Sequence, residues 1–157
     1  MILLTPSRAG AFERQWHAGV DAGYASLFGG HSSSAYGGGA HLGYGLSDAF
    51  NALLEVDVTR HPSTMTSVWS SGLGVAYTFD VARAVPYAGL LAGGYKLAGD
   101  LSTTAPGVQF ALGLDYQIDR HWAAGLQLRL HTIFASDPIG TVAYATTFIR
   151  FEYLWGV

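Results

Sequence analysis

Asp21, Glu55, Asp57, Asp115, Arg129, Arg150 and Glu152 are the residues of this chain best placed to do chemistry, because each is an ionisable group set among Gly, Ala and apolar neighbours. His17, His41, His131 and Lys96 share that setting. An isolated charge in such surroundings is costly, so these groups are expected to meet in a hydrogen-bonded salt-bridge network rather than stand alone. A sharper reading of the same residues is a gate or a proton-sensitive path, which would require a water-filled channel.

Patterns for catalysis or metal binding are thin. The chain has no Cys, which removes thiolate ligands, thiol nucleophiles and disulfides together. Ser32, Ser33 and Ser34 cluster in a loop and Ser70 and Ser71 fall on a strand; none pairs with a His and an acid in an obvious triad order. The His residues show neither the His-x-x-x-His spacing of a helical site nor the His-x-His of a strand site, and His31, His61 and His121 read as solvated loop or turn residues. Gly37-Gly38-Gly39 is not followed by the Gly-Lys-Ser/Thr of a phosphate loop. No catalytic, cofactor-binding or metal-ligating residues are expected.

The elements that position the charged groups are strands. From Val108 to Ile118 one parity carries Val, Phe, Leu, Leu, Tyr and Ile, and the other carries Gln, Ala, Gly, Asp and Gln. A period of two marks a strand with one greasy and one small, polar face. The pattern recurs, predicting eight strands over 15–27, 35–46, 50–60, 68–79, 85–97, 108–118, 122–132 and 143–155. In the fifth, the apolar parity is read as Tyr87, Gly89, Leu91, Gly93 and Tyr95, which turns Leu90 and Lys96 to the polar side and invites a bulge. Strands of about eleven residues, tilted at about 45°, span the hydrocarbon core of a bilayer.

Composition sets the environment. At 157 residues the chain is a single domain, with 12% charged residues, 13% aromatic residues and 21 Gly. No apolar run is long enough for a transmembrane helix. A net charge of -3 with no basic cluster excludes a nucleic-acid partner. Residues 1–13 read either as the remnant of an export signal or as an ordinary tail, and 14–157 as the barrel. The polar face is too sparsely charged to meet water, so the apolar face is expected to look outward into lipid. Trp16, Tyr44, Phe50, Phe79, Tyr87, Tyr116, Trp122, Tyr153 and Trp155 form one expected aromatic belt, and Tyr24, Tyr36, Trp69 and Tyr95 the other. Tight Asp-bearing turns at one end and longer Gly-, Ser- or Thr-rich loops such as 98–107 at the other complete the signature of an eight-stranded antiparallel up-and-down transmembrane β-barrel. Small outward residues Ala18, Ala22, Gly38 and Ala40, with Gly89 and Gly93, would leave a groove for a partner protein or for lipid chains.

Two segments carry a family resemblance. Val85-Pro86-Tyr87-Ala88-Gly89-Leu90-Leu91-Ala92-Gly93-Gly94-Tyr95 resembles the fifth-strand segment of small OmpA/OmpX-like outer-membrane barrels. Phe148-Ile149-Arg150-Phe151-Glu152-Tyr153-Leu154-Trp155 resembles the terminal strand that outer-membrane assembly machinery reads, followed here by Gly156-Val157. The resemblance implies a bacterial outer membrane, lipids including lipopolysaccharide as surroundings, short turns and both termini periplasmic, and longer loops outside. It implies no single chemistry. The expected role is a non-enzymatic structural, adhesion or complex-subunit barrel with a plugged lumen, with another outer-membrane protein or a lipoprotein as candidate partner. A small pore or transporter is the alternative and a lipid A-modifying enzyme the third reading; against the last, His131 is followed by Thr132 and Ile133 instead of the His-x-Ser that lipid A hydrolases resemble.

Overall fold

The computed structural model describes residues 14–28, 34–63, 65–79, 83–99, 102–136 and 140–156. The expectation for residues 1–13 lies outside them. Alternation over each apolar stretch produces eight strands: β1 (Trp16–Phe28), β2 (Ser34–Gly45), β3 (Phe50–His61), β4 (Thr66–Thr78), β5 (Ala84–Ala98), β6 (Thr103–Gln117), β7 (Trp122–Phe134) and β8 (Thr141–Trp155). Each pairs antiparallel with the next, and β8 returns to β1, closing the barrel. Closure leaves no open sheet edge, which a strand in lipid cannot tolerate.

The two faces separate as the alternation predicts in seven of the eight strands. Val20, Leu54, Leu73, Leu126 and Ile149 stand exposed on the outer wall, while Asp21, Glu55, Gln127, Arg129 and Arg150 are buried inside. Among the described residues, Arg60 and Lys96 are the charged strand positions on that wall. An apolar belt running around the whole barrel greatly exceeds what a water-soluble monomer exposes, so the wall is a lipid-facing surface. Aromatic rings pack at the end that holds Trp16 and Trp155, here called the terminal end: Trp16 on Tyr44 at 4.7 Å, Phe50 on Tyr77 at 5.2 Å and Trp122 on Tyr153 at 4.8 Å between centroids.

β5 is inverted relative to expectation. Tyr87, Leu91 and Tyr95 are buried in the lumen, whereas Leu90 is 61% exposed and Lys96 points outward. Both parities of this strand are apolar, so alternation alone does not choose between them. The choice is made across the sheet, where Gly113 and Gly107 of β6 leave the space that the Tyr87 and Tyr95 rings occupy. Lys96 therefore leaves the lumenal set, the two tyrosines leave the belts, and Gly89 and Gly93 leave the candidate groove. His61, expected in a solvated loop, ends β3 on its inward parity and is 1% exposed.

The connections also differ from expectation. β6 begins at Thr103 and β8 at Thr141, so the distal end is joined by 29–33, 62–65, 99–102 and 135–140, hardly longer than 46–49, 79–83 and 118–121 at the terminal end. Pro106 is accommodated because Thr103–Pro106 pair with β5 only, the β7 pairing starting at Gly107. At the terminal end, Asp119 Oδ1 accepts from the backbone N–H of His121 at 2.7 Å and of Trp122 at 2.9 Å, which closes the β6–β7 turn. In the β2–β3 turn Ser47, rather than Asp48, takes this role, its Oγ accepting from Phe50 N at 3.2 Å.

Candidate functional site

The lumen is crossed by two guanidinium groups. Arg129 on β7 and Arg150 on β8 both point inward because they share the parity of Gln127 and Glu152. In the narrow interior of an eight-stranded barrel, side chains from opposite walls meet. Arg129 reaches Asp21 of β1 through Nη2 at 3.2 Å, and Asp57 and Glu55 of β3 through Nη1 at 3.2 Å and Nε at 3.1 Å. Its Nε also donates to Gln127 Oε1 at 2.6 Å, while Gln127 Nε2 donates to Glu55 Oε1 at 3.1 Å. Asp57 accepts a second bond, from Ser70 of β4.

Arg150 sits directly opposite Asp21 in the β1–β8 register, and its Nε lies 3.4 Å from the Asp21 carboxylate. It contacts Glu152 and the Tyr87 hydroxyl, lies 3.9 Å from Asp115, and stacks over the Tyr87 ring at 5.1 Å. Arg129 is placed similarly over Phe148 at 5.3 Å. His41 Nδ1 is 3.0 Å from Asp21 and its Nε2 is 2.8 Å from Glu152, while His17 Nδ1 is 3.5 Å from Glu152. Towards the distal end, His131 lies between the Tyr95 hydroxyl and the Thr146 hydroxyl, each at 3.1 Å, and stacks flat on Tyr144 at 4.2 Å.

The structure thus brings together six of the seven expected charged residues tightly, with Asp115 at the edge of the cluster. The aromatic partners Tyr87 and Phe148 and the hydroxyl of Ser70 were not anticipated. Tyr87 is hidden by the ambiguous parity of β5, and the other two meet their partners through the register of adjacent strands, Ser70 opposite Asp57 and Phe148 diagonal to Arg129, which no one-dimensional signal records. Parity places His17 and His41 inside the barrel, but spacing along one strand does not reveal that they converge with Glu152 from three neighbouring strands. Chemically, the cluster cross-links β1, β3, β7 and β8 at mid-depth.

On the outer wall, Gly38 pairs with Ala22 and Ala40 with Val20, so the side chain of Val20, 61% exposed, interrupts the expected groove between β1 and β2. Gly38 and Ala40 instead line a cavity of about 620 Å³ that runs the other way, past Trp69, Ser71, Gly94 and Lys96 on β4 and β5.

A closed eight-stranded sheet with a lipid-facing wall and an ion-paired interior defines a transmembrane β-barrel of the Gram-negative outer-membrane type. The outer membrane protein beta-barrel domain family matches residues 1–151, and the chain belongs to it. No curated protein matches the chain. Neisserial surface protein A superimposes with a TM-score of 0.77 at 17% identity, covering 88% of this chain and 96% of that one. The N-terminal barrel domain of Pseudomonas aeruginosa OprF gives 0.64 at 14% identity over 91% and 98% of the two chains. Ail, the attachment invasion locus protein of Yersinia pestis, gives 0.61 at 13% identity over 91% and 99%. These likenesses establish the shared barrel fold.

Proposed function

We propose that this protein is a non-enzymatic outer-membrane barrel whose lumen is plugged by side chains, serving as a structural, adhesion or complex-subunit protein. The observation that carries this reading is the position of Arg129, which is fully buried at mid-depth while bonded to Asp21 of β1 and, across the barrel, to Glu55 and Asp57 of β3. A solute crossing the barrel would have to break those ion pairs, each removal leaving a buried charge without compensation. His131 faces inward between Tyr95 and Thr146 rather than towards lipid, which speaks against an acyl-hydrolase site on the wall. The shared fold of neisserial surface protein A and of the attachment invasion locus protein supports a role at the cell surface. Recordings in planar bilayers are expected to show no discrete conductance; regular steps from the purified barrel would overturn the plugged reading.

The same reading sets the distal end outside and both chain ends on the periplasmic side. Connection length does not support this, but charge does. Arg60 and Lys96 flank Trp69 on the outer wall, all three near the distal end. Two cations beside a small-residue cavity suit the phosphates and acyl chains of lipopolysaccharide, the anionic lipid of the outer leaflet. The wall-facing aromatics of β8, ending at Trp155, suit recognition by the assembly machinery. In detergent micelles, phosphorylated lipid A is expected to raise the unfolding temperature of the wild-type barrel, and dephosphorylated lipid A or the Arg60→Ala, Lys96→Ala double variant is expected to lose most of that rise. Equal stabilisation in all three cases would discard the lipid assignment.

A further inference from the structure

The geometry points to a transition-metal site of the zinc class inside the terminal end of the barrel, with His17, His41 and Glu152 as protein ligands. The three residues come from β1, β2 and β8, which are adjacent through the barrel closure. Gly19 stands opposite His41 on one side and opposite Glu152 on the other. With no side chain between them, the imidazole and the carboxylate meet above Gly19, His41 Nε2 and Glu152 Oε1 being 2.8 Å apart. His17 belongs to the same face one pair nearer the mouth, and its ring lies where a side chain on Gly43 would stand. A ligand atom from each of the three residues lies within 4.8 Å of the others, so small side-chain rotations would bring them to the roughly 3.3–3.6 Å separations of a tetrahedral ion with metal–ligand distances of about 2.0–2.2 Å.

Two further features suit a metal. His41 Nδ1 is 3.0 Å from Asp21 Oδ2, the contact by which a carboxylate orients a metal-ligating imidazole so that Nε2 faces the ion. The His41 Nε2 faces Glu152 Oε1, and carboxylate–histidine–metal relays are built this way. Finally, a cavity of about 20 Å³ at this end is lined by His17, Asp115 and Glu152, room for the one water that would complete four-coordination. Two imidazoles and one carboxylate without thiolate select Zn²⁺, Cu²⁺ or Ni²⁺ over Ca²⁺ and Mg²⁺. Arg150, in contact with Glu152, holds that carboxylate in place.

The test uses the full chain without an affinity tag, folded in detergent and checked for the folded band by its heat-modifiable mobility. Zn²⁺ is expected to bind with one equivalent per barrel and to raise the thermal midpoint, and Ca²⁺ and Mg²⁺ at the same concentration are expected not to compete. Cu²⁺ bound in its place is expected to show nitrogen hyperfine structure from two imidazoles by electron paramagnetic resonance. His17→Gln, at the mouth and outside the arginine network, should lose one of those nitrogens and weaken Zn²⁺ binding at least tenfold. Asp21→Asn should weaken it about 10–100-fold while both nitrogens remain, as expected of a group that orients a ligand. The proposal is overturned if folded wild-type barrel takes up no saturable Zn²⁺, or if His17→Gln binds it equally well with an unchanged Cu²⁺ spectrum. It does not depend on whether the lumen conducts.

Discussion

Replacing Arg129 with methionine is expected to destabilise the folded barrel by at least about 3–5 kcal/mol, the range for breaking a buried ion pair by removing one partner. The effect is large because one guanidinium serves three carboxylates, Asp21 on β1 and Glu55 and Asp57 on β3, the strand across the barrel. Methionine fills much of the arginine volume and keeps contact with Phe148, so the loss reports on charge rather than on packing. Asp21 retains Arg150 and His41 as partners in the variant, but Glu55 and Asp57 retain only the neutral donors Gln127 and Ser70. The triple variant Arg129→Met, Glu55→Gln, Asp57→Asn is therefore expected to recover most of the stability, since replacing all the members of a buried ionic cluster by neutral groups is often close to neutral. Urea unfolding of the barrel in lipid vesicles, followed by tryptophan fluorescence, measures both. If Arg129→Met is as stable as wild type, the network does not hold the lumen closed.

The second large effect concerns β5 and distinguishes its two faces. Leu90 lies near the middle of the strand on the lipid side, while its neighbour Leu91 is 1% exposed inside. Arginine at position 90 would place a cation near the bilayer midplane, at a cost of about 2–4 kcal/mol. The reporter that separates the faces is a single cysteine given a nitroxide label in the unfolded chain: after folding in vesicles, the label on Leu90→Cys should be relaxed by oxygen dissolved in the bilayer, and that on Leu91→Cys should be shielded from it. The reverse relaxation pattern would restore the outward face first read from the alternation.

Much of the fold and part of the site are legible in the amino-acid sequence. Strands such as β6 and β7 alternate long apolar residues with Gly, Ala, Gln and single charges, and one-dimensional period is enough to assign such a strand and its faces. The inward placement of Asp21, Glu55, Asp57, Arg129, Arg150 and Glu152 followed from that parity. The neighbour relation of β1 and β8 follows from closure, which is why Asp21 and Arg150 could be expected to meet. Loop boundaries were less legible: Thr103–Gly107 and Thr141–Val142 have the Gly, Thr and Pro content of loops, yet pairing with β5 and β7 keeps them in strands.

The order of the eight strands, their membrane-spanning length and the sign of the face each turns to lipid are properties of local alternation, and the chain determined them wherever one parity was clearly apolar and the other clearly not. β5 has apolar residues on both parities, Tyr87, Leu91 and Tyr95 against Ala88, Leu90 and Ala92, so its two rotations differ little in local hydrophobicity. Only the folded sheet decided it, because the inward rings require the empty space over Gly113 and Gly107 on the next strand. The convergence of His17, His41 and Glu152 was decided in the same way. Residues far apart along the chain become neighbours through register and barrel closure, and spacing within a single strand carries no record of that contact.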